Sequence, residues 1–184
     1  CSLALLIFNI PQLCVLNIFQ LFLCESTKLQ VYICNMEMIT YTDEYFMRQA
    51  ILEAKKAFIE EEVPVGAVIV LEGQIIARGY NYTERLKDVT AHAEMQAFTA
   101  ASNYLGSKYL SNCILYVTLE PCIMCAGASY WTQISRIIYG ARDQKRGFLN
   151  LNKDILHPKT DIEGGILKEE CSKLMTDFFL KRRE

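Results

Sequence analysis

Two short stretches, well separated along the chain, constrain its fold more than any other feature. His92-Ala93-Glu94 and Pro121-Cys122-Ile123-Met124-Cys125 supply an imidazole, a carboxylate and two thiols. Imidazole nitrogen and thiolate sulfur suit zinc, and a C-x-x-C pair can hold one ion from the first turn of a helix. We therefore predict that the fold brings His92, Cys122 and Cys125 together around one Zn²⁺ and leaves the fourth tetrahedral position open.

An open position at zinc indicates a catalytic site, because zinc lowers the pKa of a bound water from about 15.7 towards about 7. Glu94 follows His92 by two residues and is expected to face that water. We assign Glu94 as the general acid and base, which carries a proton to a ring nitrogen and then to a departing amine. Such a role typically contributes about 10² to 10⁴-fold to the rate. The combination of H-x-E with P-C-x-x-C is the signature of zinc deaminases.

The cysteine pair also has plainer interpretations. A C-x-x-C pair in a reducing cell can be a redox centre or half of a structural zinc site. A non-catalytic zinc module needs a fourth ligand, for which the candidates are Cys113, His157 and Cys171. None of these is paired with another at ligand spacing, and such a module has no need of Glu94. The complete motif therefore favours catalysis.

The composition is typical of one ordinary domain. Of 184 residues, 52% are hydrophobic, which is enough to bury a core. The net charge of −2 excludes a broad basic surface for non-specific nucleic-acid binding, but leaves room for a local basic patch. Cys113 and Cys171 lie among apolar residues and are expected to pack as small hydrophobes, so nothing requires a disulfide framework.

The N-terminal stretch differs from the rest of the chain. Residues 1–24 carry no charge, which is long enough for a membrane span or a signal segment. However, no basic residue precedes them, polar residues interrupt them, and the first methionines are Met36 and Met38. We expect residues 1–39 to be an apolar extension outside the domain, and a chain starting at either methionine to fold and work. A membrane anchor and an unusual N-terminal helix are the alternatives.

Residues 40–184 are predicted to form the zinc-dependent deaminase domain. Apolar periodicity predicts helices over about 43–62, 91–101 and 171–183, and a further helix that has Pro121 in its first turn and holds both cysteines. Strands are predicted over 65–71 and 74–80, joined by a turn, and over 114–118 and 136–139. The expected fold is α/β, with three α/β/α layers around a central mixed sheet of about five strands.

Four stretches carry a family resemblance: residues 62–68 (EVPVGAV), 91–94 (AHAE), 119–128 (LEPCIMCAGA) and 140–143 (GARD). From about residue 40 onward, the chain resembles the bacterial tRNA adenosine deaminases, a branch of the cytidine deaminase superfamily. The resemblance implies a cytidine deaminase-like fold with one Zn²⁺ per subunit. It also implies hydrolysis of adenosine to inosine at the wobble position of a tRNA anticodon, by a cytoplasmic homodimer.

The resemblance also suggests residues that contact the substrate. Asn81 matches an asparagine that hydrogen-bonds the flipped nucleoside, and Asp143 matches an acidic residue beside the anticodon stem-loop. Without the resemblance, an asparagine after a strand is commonly a turn former, and an aspartate there is usually a helix cap.

The end of the last helix has a similar double interpretation. In the family, Phe178 and Phe179 line the pocket, whereas aromatic residues on a last helix are more often core. Lys181, Arg182 and Arg183 are expected to meet phosphate, although basic residues also favour helix C-termini through the helix dipole.

The chain departs from the family pattern in three places. Residues 129–133 (SYWTQ) are more aromatic than expected and bear on the dimer surface, and residues 152–161 are compact, which bears on the RNA-facing loop. The N-terminal extension has no family counterpart. The rival within the superfamily is a guanine or other free-base or nucleoside deaminase, which keeps the same motifs. Free cytidine deaminases typically have a cysteine where His92 stands.

Overall fold

A five-stranded sheet organises the structure, a computed structural model that describes residues 41–151 and 153–183. The strands are β1 (Gly66–Leu71), β2 (Gln74–Tyr80), β3 (Cys113–Leu119), β4 (Arg136–Ala141) and β5 (Asp161–Gly164). The helices are α1 (Asp43–Ile59), α2 (Thr83–Leu86), α3 (Ala93–Leu105), α4 (Ile123–Thr132) and α5 (Lys168–Lys181). Short 3₁₀ turns cover Phe148–Asn150 and Lys153–Ile155.

The strand order is β2-β1-β3-β4-β5. β1 pairs antiparallel with both β2 and β3, whereas β3, β4 and β5 are parallel, so the predicted mixed sheet is confirmed. β2, β3 and β4 consequently run in one direction. The loops that follow them therefore meet at the edge of the sheet formed by the carboxyl ends of these strands. The predicted turn between β1 and β2 is also present, with Glu72 and Gly73 both at positive φ.

The sheet is buried on both faces. Along β1, Ala67 and Ile69 enter one hydrophobic cluster, and Val68 and Val70 enter the other. α3 and α4 cover the first face, and α1 and α5 cover the second. The predicted three-layer arrangement is therefore confirmed.

α1 lies unusually close to the sheet at Gly66, the first residue of β1. A Cβ added at Gly66 would lie 2.2 Å from the carbonyl oxygen of Ala50 and 2.3 Å from the backbone nitrogen of Ala54. Both atoms belong to the α1 backbone, which has no flexible end that can move aside. Only glycine permits this contact.

Several predicted helix boundaries were wrong. α1 ends at Ile59 instead of near residue 62, because Glu61 adopts a positive φ and the N–H of Glu62 donates to the carbonyl of Ala57 (2.9 Å). α5 begins at Lys168, three residues earlier than predicted, and ends at Lys181.

The helices at the predicted metal site also begin later than predicted. α3 begins at Ala93, because His92 is extended, and it continues to Leu105, where Gly106 ends it in the left-handed conformation. α4 begins at Ile123, so Pro121 lies before its first turn.

The fifth strand was expected in number but not located from the sequence. β5 is the outermost strand of the sheet, and its sequence (DIEG) contains a single large apolar residue, Ile162. The predicted boundary at residue 39 and the prediction for the N-terminal extension lie outside the described residues. Within the part of the chain that is described, no helix is long and apolar enough to cross a membrane.

Candidate metal centre

The three predicted metal ligands lie at the beginnings of two helices. His92 is the N-cap of α3 and Cys122 is the N-cap of α4, while Cys125 lies in the first turn of α4. The carbonyls of the two N-caps accept the first helical hydrogen bonds, from Gln96 (3.0 Å) and Ala126 (2.9 Å). Neither N-cap side chain makes a capping hydrogen bond. Both side chains are therefore available to a metal.

The distances between the ligand atoms fit a tetrahedral zinc ion. His92 Nδ1 lies 3.6 Å from the Sγ atoms of both Cys122 and Cys125, and all three ligand atoms lie within 4.8 Å of one another. With Zn–S near 2.3 Å and Zn–N near 2.0 Å, two ligand atoms of a tetrahedron lie about 3.6 Å apart. One imidazole and two thiolates also suit zinc by ligand type. These residues therefore fit Zn²⁺ as the cofactor.

The electrostatics of the site favour the thiolate, which is the form that binds a metal, at Cys122 but not at Cys125, where the hydrogen bond to Cys122 and burial raise the pKa. A hydrogen bond from Cys125, assisted by the nearby imidazole of His92, lowers the pKa of Cys122 to about 4. The pKa of His92 is raised in turn, chiefly by its hydrogen bond to Cys122. The N-termini of α3 and α4 add partial positive charge that stabilises thiolate.

Glu94 lies beside the ligands but is not one of the three that converge. It is the second residue of α3, and its side chain is buried, with 4% of the residue exposed. Burial raises the pKa of the Glu94 carboxyl above its ordinary value. A carboxyl of this kind takes up a proton at higher pH than an exposed one does, which suits a group that accepts and releases protons.

Asn81 has a structural role that the sequence pattern did not indicate. It follows β2 directly, is 6% exposed, and accepts a hydrogen bond at Oδ1 from the N–H of Ala93 (2.9 Å). The Asn81 side chain thus supplies the helix cap that His92 leaves unmade. No described residue accepts a hydrogen bond from its Nδ2, so this group remains available to donate to a ligand.

Asp143 shapes the loop that follows β4. Its Oδ1 accepts hydrogen bonds from the N–H groups of Lys145 (2.9 Å) and Arg146 (3.0 Å), so it closes a turn and caps no helix. The loop lies at the same sheet edge as the metal ligands.

The two phenylalanines of α5 differ in environment. Phe178 is 3% exposed and packs edge-on against Phe58, with 5.8 Å between ring centroids. Phe179 is 45% exposed. Phe178 is therefore a core residue, and Phe179 has a face available to a ligand.

The basic residues at the end of α5 are exposed. The Nζ of Lys181 lies 5.8 Å from the ring centroid of Phe58, and the guanidinium of Arg182 lies 5.0 Å from that of Phe178. Arg183 is also exposed. Among the described residues, none of these three side chains makes a hydrogen bond or ring contact with His92, Cys122 or Cys125.

Two buried carboxylates beside the site were not singled out by the sequence pattern. Glu62 is fully buried and accepts hydrogen bonds from the hydroxyl of Thr83 and the N–H groups of Glu84 and Arg85, which caps α2. Glu120 is 2% exposed and accepts hydrogen bonds from the loop after β4. The signal available in the sequence was a glutamate shortly before a proline, in a motif whose other residues are apolar. Glu62 stands two residues before Pro64, and Glu120 directly before Pro121.

The fold and the metal centre agree with a family model. Residues 40–141 match the cytidine and deoxycytidylate deaminase zinc-binding region. The five-stranded mixed sheet, with its zinc ligands at helix starts, is that of a zinc-dependent deaminase, a class of hydrolytic enzymes.

Similarity to individual proteins is more specific. The chain is 48% identical over 145 residues to the tRNA-specific adenosine deaminase of Aquifex aeolicus (strain VF5), an alignment that covers 76% of this chain and 95% of that protein. A solved structure from a study of A-to-I editing by tRNA:A34 deaminases superposes with a TM-score of 0.67 at 41% identity, covering 71% of this chain and 98% of the other. The chain belongs to the tRNA-specific adenosine deaminase family.

A guanine deaminase is also similar. The crystal structure of guanine deaminase from Bacillus subtilis superposes with a TM-score of 0.53 at 40% identity, covering 55% of this chain and 66% of that chain. The two solved structures therefore come from enzymes named for different substrates, tRNA and guanine, so the shared fold alone does not select the substrate.

Proposed function

We propose that this protein hydrolyses adenosine to inosine at the wobble position of a tRNA anticodon, releasing ammonia. The observation that carries the proposal is the group of His92, Cys122 and Cys125 at tetrahedral spacing beside the buried Glu94, in a chain of this family. The proposal gives His92, Cys122 and Cys125 the role of zinc ligands and Glu94 that of the general acid and base.

Zinc, when bound, activates the water that replaces the amino group of the base. Glu94 takes one proton from the water and delivers it to a ring nitrogen, then takes the second from the hydroxyl added to the ring and delivers it to the amine, which leaves as ammonia. Because Asn81 Oδ1 is occupied by the N–H of Ala93, Asn81 interacts with the nucleoside by donating from Nδ2 to an acceptor. That fixed orientation makes Asn81 selective for the position of an acceptor atom.

The substrate base must leave its stack to reach a buried zinc site, so the nucleotides on either side are bound outside the pocket. We assign that role to the loop of Asp143, to the exposed ring of Phe179 and to the cluster formed by Lys181, Arg182 and Arg183. Support comes from the position of the loop after β4, which contains Asp143, at the sheet edge that carries the metal ligands, and from the exposure of the α5 side chains.

The second candidate is a guanine deaminase, favoured by the 40% identity to the Bacillus subtilis enzyme over the aligned part. The test compares turnover on an anticodon stem-loop with a wobble adenosine against turnover on guanine, adenosine and cytidine at matched concentrations. Inosine in the digested RNA, detected by mass spectrometry, is the expected result. Efficient release of xanthine from guanine together with an unchanged stem-loop would reject tRNA as the substrate.

We further propose that the protein is a homodimer with α4 in its interface. α4 exposes Trp131 (77%) and Ile123 (54%), which are large apolar side chains that a partner can cover. Sedimentation equilibrium should give the mass of two chains, and Trp131→Glu should shift it towards one. A wild-type protein that sediments as a single chain would contradict the dimer. The cytoplasmic location expected from the resemblance stays a prediction.

A further inference from the structure

Glu120 carries a buried carboxylate that the proposed chemistry does not use. It follows the last residue of β3 and precedes Pro121 and the metal ligand Cys122. Its side chain is fully shielded from solvent. A carboxylate buried this deeply costs free energy unless hydrogen bonds and nearby positive charge compensate for the lost water.

The compensating groups all belong to the loop that follows β4. One carboxylate oxygen of Glu120 accepts a hydrogen bond from the N–H of Asp143 (3.2 Å), and the other accepts one from the N–H of Leu149 (3.0 Å). The Nε of Arg142 lies 3.7 Å from the first oxygen. Glu120 therefore holds residues 142–149, here called the Asp143 loop, near both of its ends.

Further contacts attach the Asp143 loop to the metal-binding stretch. Cys122 and Gly147 form an antiparallel bridge, and the N–H of Phe148 donates to the carbonyl of Pro121 (3.0 Å). A Cβ added at Gly147 would lie 2.3 Å from Cδ of Glu120. The loop thus packs directly on the carboxylate, and Gly147 leaves the room for it.

We infer that Glu120 is a positioning residue that fixes the Asp143 loop relative to the zinc ligands. Its two oxygens are both acceptors and meet two N–H donors, an arrangement that an amide of the same shape cannot reproduce. The part of this inference that concerns RNA rests on the proposed function, because it takes the loop as a contact for nucleotides beside the target base. The part that concerns loop position does not.

The first test measures loop position without any substrate. Lys145 and Arg146 are exposed in the Asp143 loop and are cleavage sites for trypsin. In the full chain, Glu120→Gln should make cleavage after these residues about tenfold faster or more, because two main-chain hydrogen bonds to a charged acceptor are weakened. Glu53→Gln is the matched control. Glu53 is also buried (3% exposed), but it pairs with Lys56 and Arg78, away from this loop.

The second test measures catalysis on the anticodon stem-loop. Glu120→Gln should keep its zinc and raise KM about tenfold with a smaller change in kcat, whereas Glu53→Gln should leave KM unchanged. Because Glu120 acts through the loop, adding Asp143→Ala to Glu120→Gln should cost less than the two separate effects predict. A residue that only stabilises the fold would give independent effects.

The results that overturn the inference are also distinct. If trypsin cleaves Glu120→Gln at the wild-type rate, or cleaves Glu53→Gln equally fast, Glu120 does not position the loop. Should Glu120→Gln fail to fold, Gly147→Ala tests the same packing from the other side, and wild-type cleavage of that variant overturns the inference. A wild-type enzyme that leaves the stem-loop unchanged rejects the proposed function, while the trypsin experiment still decides the role of Glu120.

Discussion

At the scale of single residues, two of the candidate metal ligands stand at helix N-cap positions, where a side chain normally caps the helix. N-caps are usually Ser, Thr, Asp or Asn, because their side chains accept an N–H of the first turn. Here His92 and Cys122 occupy the N-caps of α3 and α4 without capping them. Asn81 compensates at α3 by accepting the N–H of Ala93 from outside the helix. The same side chain is therefore proposed both to support a zinc ligand and to bind the nucleoside.

Glu94→Gln should separate catalysis from metal binding. Since Glu94 is not among the three converging ligand atoms, the variant should keep about one zinc per chain and its fold. It should lose about 10² to 10⁴-fold in turnover, because an amide cannot carry the proton. Metal analysis and single-turnover kinetics on the same preparation check both points. Near-normal turnover would refute the assigned role, and loss of zinc would make Glu94 a ligand.

Cys113 and Cys171 should resist alkylation in the folded protein. Each is 1% exposed; burial raises the pKa of both thiols, that of Cys171 to about 12. A raised pKa lowers the fraction of the thiol that is ionised to the reactive thiolate at a given pH, so both side chains remain thiols at pH 8. Peptide mapping after iodoacetamide treatment should find both unmodified natively and both modified in denaturant. Rapid native labelling would show that the core around these residues opens readily.

The residues of the metal centre could be predicted from the sequence because their spacing is local. Each pair lies within three positions of sequence, His92 with Glu94 and Cys122 with Cys125, so its chemistry can be recognised without a structure. The roles of Glu62 and Glu120 could not be predicted in the same way. Each depends on main-chain N–H groups more than 20 positions away, which only the folded loops bring into range.

At the scale of elements, the sequence predicted buried strands well and edges poorly. β1 and β3 are rich in β-branched and apolar residues, because both of their faces are covered. β5 is the outermost strand of the described sheet and pairs with β4 alone. Most of its residues are polar, so its sequence could not be distinguished from that of a loop. The late starts of α3 and α4 have another cause. The stretches before them are held extended by contacts with distant loops, such as the bridge between Cys122 and Gly147.

Gly66→Ala should destabilise the packing of α1 on the sheet. The new methyl group would lie 2.2 Å from the Ala50 carbonyl, so helix and strand must move apart. We expect a loss of about 1–3 kcal/mol in the free energy of unfolding, measured in urea. Gly127→Ala in α4 is the control, because a Cβ there meets nothing within 4 Å and alanine favours a helix by about 1 kcal/mol. Equal effects at both positions would contradict the close approach at Gly66.

At the scale of the whole molecule, a chain of net charge −2 has to bind a polyanion through a local basic surface. Turnover at low concentration of the stem-loop should therefore fall as salt increases. Changing Lys181, Arg182 and Arg183 to Gln should make that fall less steep, because fewer counterions are released on binding. Lys173→Gln is the control on the same helix, since Lys173 is paired with Asp177. An unchanged salt slope in the triple variant would exclude the cluster from RNA binding.

The placement of the three ligands at two helix starts also has a consequence for the lifetime of the protein. A zinc ion held by these residues would join α3 to α4, so that a single bound atom would act as a cross-link between segments that are distant in the chain. Ligand binding to the native state alone shifts the folding equilibrium by mass action, by about 2.7 kcal/mol at a hundredfold excess over Kd. Chains made during zinc starvation should therefore melt at lower temperature and be degraded faster. The abundance of the enzyme would then report the zinc supply of the cell, independently of any change in transcription.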